Sequence, residues 1–281
     1  MSDVPERVGV VGGGRMGAGI AHAFLLAGAR VHVVEQDATA VAAAQARIGG
    51  LLQGSRERGM TVPDDAALSV GTDIGPFAAC GLVVEAVPED PDLKARALTR
   101  VEAVLGEQAV LASNTSSLSI GALAAVLRRP AAFLGMHFFN PVPSSKLVEL
   151  VIGAQTADDV RDRAVGWIEA LGKSPIVVQD APGFASSRLG VALGLEAIRM
   201  VEEGVASPAD IDTAMQLGYG HPMGPLRTTD IVGLDVRLAI AEELNARLGD
   251  RFAPPELLRR MVAEGRLGRK SGQGFYEWSE G

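Results

Sequence analysis

Short runs of apolar residues alternate with longer stretches of helical periodicity over roughly the first two-thirds of the chain. The runs are rich in valine and leucine with no alternating polar face, which is typical of strands buried on both faces of a sheet. They cover Arg7–Gly12, Arg30–Val34, Gly81–Val87 and Ala109–Ala112. Helical patterns separate these strands, so the sequence predicts a Rossmann-type, doubly wound, mostly parallel α/β sheet.

The next two apolar runs predict a different arrangement. A strand over Ala131–Phe139 is followed by Asn140-Pro-Val-Pro143, where the prolines turn the chain, and a second strand over Lys146–Ile152 can return beside the first. His137 lies on the first strand and Glu149 on the second. Two interpretations follow from the residues alone: a buried, hydrogen-bonded histidine of structural importance, or a general base that a carboxylate holds and polarises.

Beyond the last predicted strand, Pro175–Val178, the periodicity is helical. Candidate helices cover Ser187–Glu203, Pro208–Leu217, Leu234–Leu248 and Pro255–Glu264, and Ser207-Pro208 is typical of a helix N-cap followed by proline. Because Val191–Val201 is apolar around most of its circumference, it is expected in a core or against another subunit. We therefore predict a nucleotide-binding domain over residues 1–180 and a helical C-terminal domain for dimerisation and substrate binding over residues 181–281.

A glycine loop follows the first strand. Gly12-Gly-Gly14-Arg-Met-Gly17 matches G-x-G-x-x-G, an apolar helix (Ala18–Ala27) comes next, and the second strand closes on Glu35. This is the full context of a dinucleotide site: glycines for a tight turn and a close approach to a pyrophosphate, then an acid for the ribose hydroxyls. Gly12, Gly14, Met16, Gly17 and Glu35 are the predicted cofactor-binding residues, and Glu35 favours NAD over NADP because it repels a 2′-phosphate.

Composition narrows the class of protein. Lys+Arg is 26 and Asp+Glu is 34, a net charge of -8 that argues against a nucleic-acid partner. The start of the chain lacks the pattern of a signal peptide, the uncharged stretch 108–127 is too polar to span a membrane, and Cys80 is a lone cysteine. We expect a cytoplasmic protein without a membrane segment. No spacing of histidine, cysteine and acidic residues predicts a metal site.

Polar residues cluster where three predicted strands end. The clusters are Glu85–Glu89, Ser113–Ser117 and His137–Asn140, and the carboxyl ends of strands in such a sheet carry the ligand. A long helical stretch over residues 37–58 also contains Arg47, Arg56 and Arg58. These arginines are either a solvated helix face or a basic patch for a substrate that bears phosphates.

Taken together, the motifs resemble those of the bacterial 3-hydroxybutyryl-CoA and L-3-hydroxyacyl-CoA dehydrogenases along nearly the whole chain. Those that carry the resemblance are the glycine loop, Val83-Val-Glu-Ala86, Ser113-Asn-Thr-Ser-Ser-Leu118, His137-Phe-Phe-Asn-Pro-Val-Pro143, Lys146-Leu-Val-Glu149, Pro182-Gly-Phe184, Asp210-Ile-Asp-Thr-Ala-Met215 and Pro222-Met-Gly-Pro225.

The resemblance implies a role for each matching residue. His137 would be the general base for the 3-hydroxyl, with Glu149 orienting it. Ser116 and Asn140 would bind the substrate oxygens near the nicotinamide and so contact substrate and cofactor, whereas Glu89 and Lys94 would contact the cofactor's ribose and neighbouring groups. Arg58 would face the phosphates of CoA, and the C-terminal helices would form a homodimer.

Two positions depart from the family's pattern. Ser187, a predicted substrate-binding residue, replaces an asparagine, and Ser145 stands where methionine is frequent. These departures leave the preferred acyl length open. The resemblance implies NAD-dependent, reversible oxidation of an (S)-3-hydroxyacyl-CoA, short-chain such as 3-hydroxybutyryl-CoA, to the 3-oxoacyl-CoA. The alternatives are the same chemistry on an acyl-carrier-protein thioester or a free hydroxy acid, and a non-catalytic structural relative.

Overall fold

The structure, a computed structural model, describes residues 4–278. The chain divides into two compact units, of which the first ends at Ala181 and the second begins at Pro182. The first unit contains the sheet, and the second is helical.

One sheet of eight strands organises the described part of the first unit, in the order β3-β2-β1-β4-β5-β6-β7-β8. All neighbouring strands are parallel except β6 and β7, which are antiparallel. The strands are β1 (Arg7–Val11), β2 (Arg30–Val34), β3 (Leu68–Gly71), β4 (Leu82–Glu85), β5 (Val110–Ser113), β6 (Phe133–Phe138), β7 (Leu147–Ile152) and β8 (Ser174–Gln179). This topology confirms the predicted Rossmann-type fold.

Helices cover the sheet and bury its apolar side chains. They are α1 (Arg15–Leu26), α2 (Ala38–Glu57), α3 (Pro91–Glu102), α4 (Ile120–Ala124) and α5 (Asp158–Ala170). α1 packs against β1 and β2, α3 against β4, and α5 against β6, β7 and β8. Central strand residues such as Val8, Val10 and Leu82 are fully buried, and each such side chain contributes roughly 1.5–3 kcal/mol of transfer free energy.

The turn at Asn140-Pro141 joins β6 to β7 as an antiparallel hairpin. In this hairpin His137 pairs directly with Glu149, and Phe138 pairs with Val148. Paired residues in a ladder present their side chains on the same face of the sheet. The register therefore places the imidazole and the carboxylate side by side.

The second unit is built from α6 (Ser186–Glu202), α7 (Pro208–Tyr219), α8 (Pro225–Val232), α9 (Leu234–Leu248) and α10 (Glu256–Ala263). These helices enclose a core that includes Val191, Leu195 and Leu244. The predicted N-cap of α7 is confirmed, since the Ser207 side chain accepts a hydrogen bond from the Asp210 backbone amide and Pro208 follows it. Within residues 4–278, none of the helices combines the length and the apolar character needed to cross a bilayer.

Several boundaries differ from those expected. α1 begins at Arg15 rather than Ala18, because Gly14 is the N-cap and the first turn lies inside the glycine motif. The strand expected over Ala131–Phe139 begins at Phe133, because Pro130 starts a short 3₁₀ turn. β3 and α8 were not predicted: β3 is a four-residue edge strand, and α8 follows a sequence rich in glycine and proline that is typical of a loop.

Candidate active site

The glycine loop between β1 and α1 forms one wall of a cleft. Gly12 has a φ of 90°, and a Cβ there would lie 2.9 Å from the Ala86 carbonyl oxygen. A Cβ on Gly17 would lie 1.8 Å from the Gly12 carbonyl oxygen, so only glycine lets α1 pack this close to the loop. By contrast, no atom beyond the immediate chain neighbours lies within 4 Å of the Cβ position of Gly14. Gly14 thus leaves its backbone open to a ligand at a helix N-terminus, where amide groups attract phosphate.

Glu35, at the end of β2, is held against this loop. Its Oε1 accepts a hydrogen bond of 2.6 Å from the Gly13 amide, and Oε2 accepts a longer one of 3.3 Å from the Gln36 amide. Arg47 Nη1 donates to the Gly13 carbonyl oxygen at 2.6 Å. Both side chains line the cleft, so Glu35 presents a carboxylate beside the glycine loop.

Glu89 links the segment that follows β4 to the segment that follows β5. Its Oε1 accepts hydrogen bonds from Thr115 Oγ1 at 2.6 Å, from the Ser116 amide at 2.8 Å and from the Ser117 amide at 3.1 Å. Burial acts to raise the pKa of Glu89, but the Thr115 hydrogen bond and the nearby Lys94 charge outweigh it and lower the pKa. Glu89 is therefore an anion that fixes the loop carrying Ser116.

Lys94 lies beneath the cleft rather than in it. Its side chain is 1% exposed, and its ammonium contacts Glu85 Oε1 at 2.8 Å, Glu89 Oε2 at 3.3 Å and the Val87 carbonyl oxygen at 3.2 Å. Glu85, with a fully buried side chain, also accepts a hydrogen bond of 2.6 Å from Ser113 Oγ. In this arrangement Lys94 acts on the cleft through the position and charge of Glu89.

We expect Lys94→Met to lower the free energy of unfolding by about 3–5 kcal/mol. Methionine fills much of the same volume, but the buried carboxylate of Glu85 loses its counter-charge. Urea denaturation followed by circular dichroism measures the change.

A matched control is Lys270→Met, because Lys270 pairs with Asp235 at a site where both side chains are roughly two-fifths exposed. Lys270→Met is expected to lower the free energy of unfolding by about 0–1 kcal/mol. Equal costs for the two variants would contradict the importance given to the buried pair.

His137 and Glu149 form a hydrogen-bonded pair on neighbouring strands. Nδ1 of His137 lies 2.8 Å from Oε2 of Glu149, with side chains 9% and 0% exposed. The Phe139 ring packs beside the imidazole with 4.4 Å between ring centroids. His137 lines the same cleft as the glycine loop. The contact with Glu149 uses Nδ1, so Nε2 is the ring nitrogen suited to exchange a proton with a ligand.

The cleft, with a volume of about 960 Å³, brings most of the candidate residues together. Those that line it are Gly12, Gly14, Met16, Glu35, Glu89, Ser116, His137 and Asn140. Arg58 lies at the C-terminal end of α2 and does not line the cleft. Its Nη2 donates a hydrogen bond of 3.2 Å to Ser55 Oγ. Ser187 belongs to the first turn of α6 in the second unit.

Some residues of this site were not predicted from the sequence. Asn114 Oδ1 accepts a hydrogen bond of 2.9 Å from the Phe138 amide and so ties the end of β5 to β6 beside His137. Its position at a strand end, within a polar cluster, was the available signal. Arg15, Arg96 and Arg100 also line the cleft, and three such cations favour a polyanionic ligand.

Two of the other histidines, His22 and His32, have structural partners. His22 lies 2.8 Å from Ser55 Oγ between α1 and α2, and burial, reinforced by the charge of Arg58, lowers its pKa. His32 contacts Ser69 Oγ and the Asp73 carbonyl oxygen. Over residues 4–278 no group of three histidine, cysteine or acidic side chains is arranged to hold a metal ion.

Comparisons with known proteins identify the class and then the family. The glycine loop, the open Gly14 backbone and the acid at the end of β2 fit a nicotinamide dinucleotide, and this protein is an NAD-dependent oxidoreductase. Sequence profiles of the 3-hydroxyacyl-CoA dehydrogenase NAD-binding and C-terminal domains match residues 7–181 and 183–278. The chain belongs to the 3-hydroxyacyl-CoA dehydrogenase family, which confirms the resemblance found in its motifs.

Individual relatives are similar over nearly the full chain. A 3-hydroxybutyryl-CoA dehydrogenase of Mycobacterium tuberculosis is 41% identical over 286 residues, covering 99% of this chain and 100% of the relative. A crystal structure of (S)-3-hydroxybutyryl-CoA dehydrogenase from Ralstonia eutropha superimposes with a TM-score of 0.93 at 40% identity, covering 98% of this chain and 100% of that one. An Escherichia coli 3-hydroxybutyryl-CoA dehydrogenase structure gives a TM-score of 0.92 at 38% identity, covering 99% of this chain and 60% of that one.

Proposed function

We propose that this protein oxidises the 3-hydroxyl of an (S)-3-hydroxyacyl-CoA, short-chain such as 3-hydroxybutyryl-CoA, and runs the reverse reduction. In the forward direction C3 loses a hydride and its hydroxyl loses a proton, giving a 3-oxoacyl-CoA, NADH and a released proton. The observation that carries the proposal is the His137–Glu149 pair, which lies in the same cleft as the glycine loop and Glu35. Relatives named 3-hydroxybutyryl-CoA dehydrogenase support the choice of substrate.

His137 serves as the general base in this proposal. When bound, the nicotinamide supplies the hydride acceptor, so the protein must supply a base for the hydroxyl proton. Nε2 of His137 takes that proton, and Glu149 holds the ring through Nδ1 and stabilises the imidazolium that forms. The nearly complete burial of both side chains strengthens their interaction.

Ser116 and Asn140 bind the substrate oxygens, and both line the cleft with His137. Glu89 accepts a hydrogen bond from the backbone amide of Ser116. The Glu89 carboxylate also binds the ribose of the cofactor. We propose that Lys94 supports this contact from below, that Arg58, the C-cap of α2, meets the CoA phosphates, and that Ser187 replaces an asparagine contact to the acyl group.

The substrate assay tests the proposal and its alternatives. NADH absorbance is followed with acetoacetyl-CoA, with an acetoacetyl thioester of an acyl-carrier protein, and with free acetoacetate. We expect turnover of the CoA ester at the highest kcat/KM. Turnover of the carrier-protein ester or the free acid alone would identify one of the alternative substrates, and absence of turnover with all three would overturn the proposed chemistry.

A charge-removing variant tests the cofactor preference. The wild-type protein is expected to use NADH with a kcat/KM at least about tenfold above that for NADPH, because Glu35 repels the 2′-phosphate. Glu35→Gln keeps an oxygen for the Gly13 amide and removes the charge. We therefore expect this variant to lower the ratio of kcat/KM for NADH to kcat/KM for NADPH by about tenfold. Glu57→Gln, at the far end of α2, should leave the ratio unchanged. Equal use of NADPH by the wild-type protein would contradict the role of Glu35.

Exposed apolar side chains on the second unit are the observation that supports a homodimer. Large apolar side chains are exposed on its helices, among them Leu189 at 70%, Leu217 at 83% and Tyr219 at 78%. Exposed apolar side chains on several helices of one unit are typical of a surface that meets another protein. We propose that a second copy of the chain covers these side chains. Sedimentation of the pure protein measures whether it is a dimer. We also propose that the enzyme works in the cytoplasm.

A further inference from the structure

The turn between β6 and β7, residues 139–146, is spanned by a lysine from another part of the first unit. Lys173 lies between α5 and β8, and its Nζ donates to the Val142 carbonyl oxygen at 2.7 Å and to the Ser145 carbonyl oxygen at 2.6 Å. Asn140, which lines the cleft, belongs to the same turn, whereas Lys173 does not line the cleft. The ammonium therefore holds together a turn that carries a candidate binding residue.

The backbone around Lys173 is itself fixed. The Lys173 amide donates to the Ile168 carbonyl oxygen at 3.2 Å, at the end of α5, and the Ser174 amide donates to the Lys146 carbonyl oxygen at 2.6 Å. Gly172 has a φ of 69° and allows the chain to leave α5 and enter β8 within a few residues. The side chain thus extends from a well-held corner that is also hydrogen-bonded to the far end of the turn.

The helix of the glycine loop fixes the same turn from another side. Val142 is 2% exposed, and a Cβ on Gly19 of α1 would lie 2.7 Å from the Val142 Cβ, so only glycine leaves room for this valine. Inside the turn, the Ser145 amide donates to the Pro141 carbonyl oxygen at 3.0 Å. The backbone of the turn thus satisfies Pro141, and Lys173 supplies donors for the two other carbonyl oxygens.

The ammonium of Lys173 serves these carbonyl oxygens rather than a carboxylate. Within residues 4–278, Lys173 takes part in none of the ion pairs. Burial lowers the pKa of Lys173, which reflects the cost of removing a cation from water. A connection that only joins two strands can be closed by its own backbone. A partly buried lysine at this turn indicates that the position of the turn is used.

The use that the cleft offers is the placement of Asn140. Asn140 and His137 both line the cleft, and the turn begins directly after the strand that holds His137. A displacement of about 1 Å in a group that orients the substrate can cost about 10²-fold in rate. A hydrogen-bonded support outside the cleft keeps such a group in its productive position.

We propose that Lys173 is a positioning residue, which fixes the turn between β6 and β7 so that Asn140 meets the substrate in the cleft. The proposal rests on the proposed function, because the position of Asn140 affects the rate only if Asn140 binds the substrate. Lys173 acts through the turn and contributes no contact to the substrate itself.

A double-mutant cycle tests this role. Lys173→Met keeps most of the side chain and removes the donors, and we expect it to lower kcat/KM for acetoacetyl-CoA by about 10- to 100-fold. In an Asn140→Ala background the same substitution should cost about threefold or less, because the residue that Lys173 positions is absent. Losses of equal size in both backgrounds would overturn the proposal, since a general folding defect would act equally on the two.

Further variants separate the position of the turn from the stability of the protein. Lys173→Arg can still donate to carbonyl oxygens and should recover part of the lost activity. Lys173→Gln is one bond shorter, should give an intermediate loss, and takes the place of Lys173→Met in the cycle where that variant fails to fold. Lys270→Met, at the exposed pair with Asp235 in the second unit, is the control and should stay within about twofold of the wild-type kcat/KM.

Hydrogen exchange followed by mass spectrometry measures the turn without any substrate. A peptide over residues 139–146 should exchange about tenfold faster in Lys173→Met than in the wild-type protein, while peptides of the glycine loop keep their rates. Unchanged exchange in the turn would overturn the proposal even if activity fell. Absence of acetoacetyl-CoA turnover by the wild-type protein would instead overturn the proposed function, and faster exchange would then leave Lys173 with a structural role alone.

Discussion

Replacing His137 by alanine is expected to lower kcat by about 10²–10⁴, the contribution of a well-placed general base. The imidazole lines the cleft and is held by Glu149 at 2.8 Å, and its removal leaves the hydroxyl proton without an acceptor. The glycine loop is formed by other residues, so the affinity for NADH, measured by its fluorescence, should remain close to that of the wild-type protein. Acetoacetyl-CoA reduction under saturating NADH measures kcat.

His221→Ala provides the matched control, since His221 follows α7 in a loop of the second unit and lies outside the cleft. Its kcat should stay within about twofold of the wild-type value, as for most substitutions away from a functional site. A folded His137→Ala protein with undiminished kcat would exclude His137 as the base.

Glu149→Gln is expected to lower kcat by about 10²-fold or more, with little change in KM. Glutamine has nearly the same shape and can still accept a hydrogen bond from Nδ1, but it lacks the charge that stabilises the imidazolium. Because proton transfer then becomes slower, the solvent deuterium isotope effect on kcat should increase. A purely structural role for Glu149 would not raise that isotope effect.

The control for this variant is Glu169→Gln, an exposed position on α5 outside the cleft. Thermal unfolding of both variants separates a catalytic loss from a folding defect. If kcat and KM of Glu149→Gln both matched the wild-type values, the carboxylate would have no part in the reaction.

The pattern of apolar residues predicted the sheet because its central strands are buried on both faces and read as continuous runs. Residues at the edge carry a weaker signal: β3 is four residues long and only partly buried, and it was missed. The pairing of His137 with Glu149 followed from the short turn between two strands, whose register the structure supplies. The residue types and their spacing were sufficient to predict this contact because a hairpin pairs residues that are close in sequence.

The direction of long side chains could not be predicted. Lys94 is a cation at the start of a helix after a strand, a position equally compatible with a ligand contact and with an internal ion pair. Only the packing of α3 on β4 turns its ammonium toward Glu85. Likewise, no local pattern shows that Arg237 lies beside two glycines of α6, because the contact joins residues of separate helices.

The direct pairing of His137 with Glu149 across β6 and β7 determines where the chain can tolerate changes in length. The connecting turn contains Asn140, which lines the cleft, and the length of a turn helps to set the register of its hairpin. A single insertion within either strand shifts the pairing by one residue and turns its side chain to the opposite face of the sheet. We therefore expect homologous sequences to keep the number of residues from His137 to Glu149 constant and to vary in length outside this hairpin.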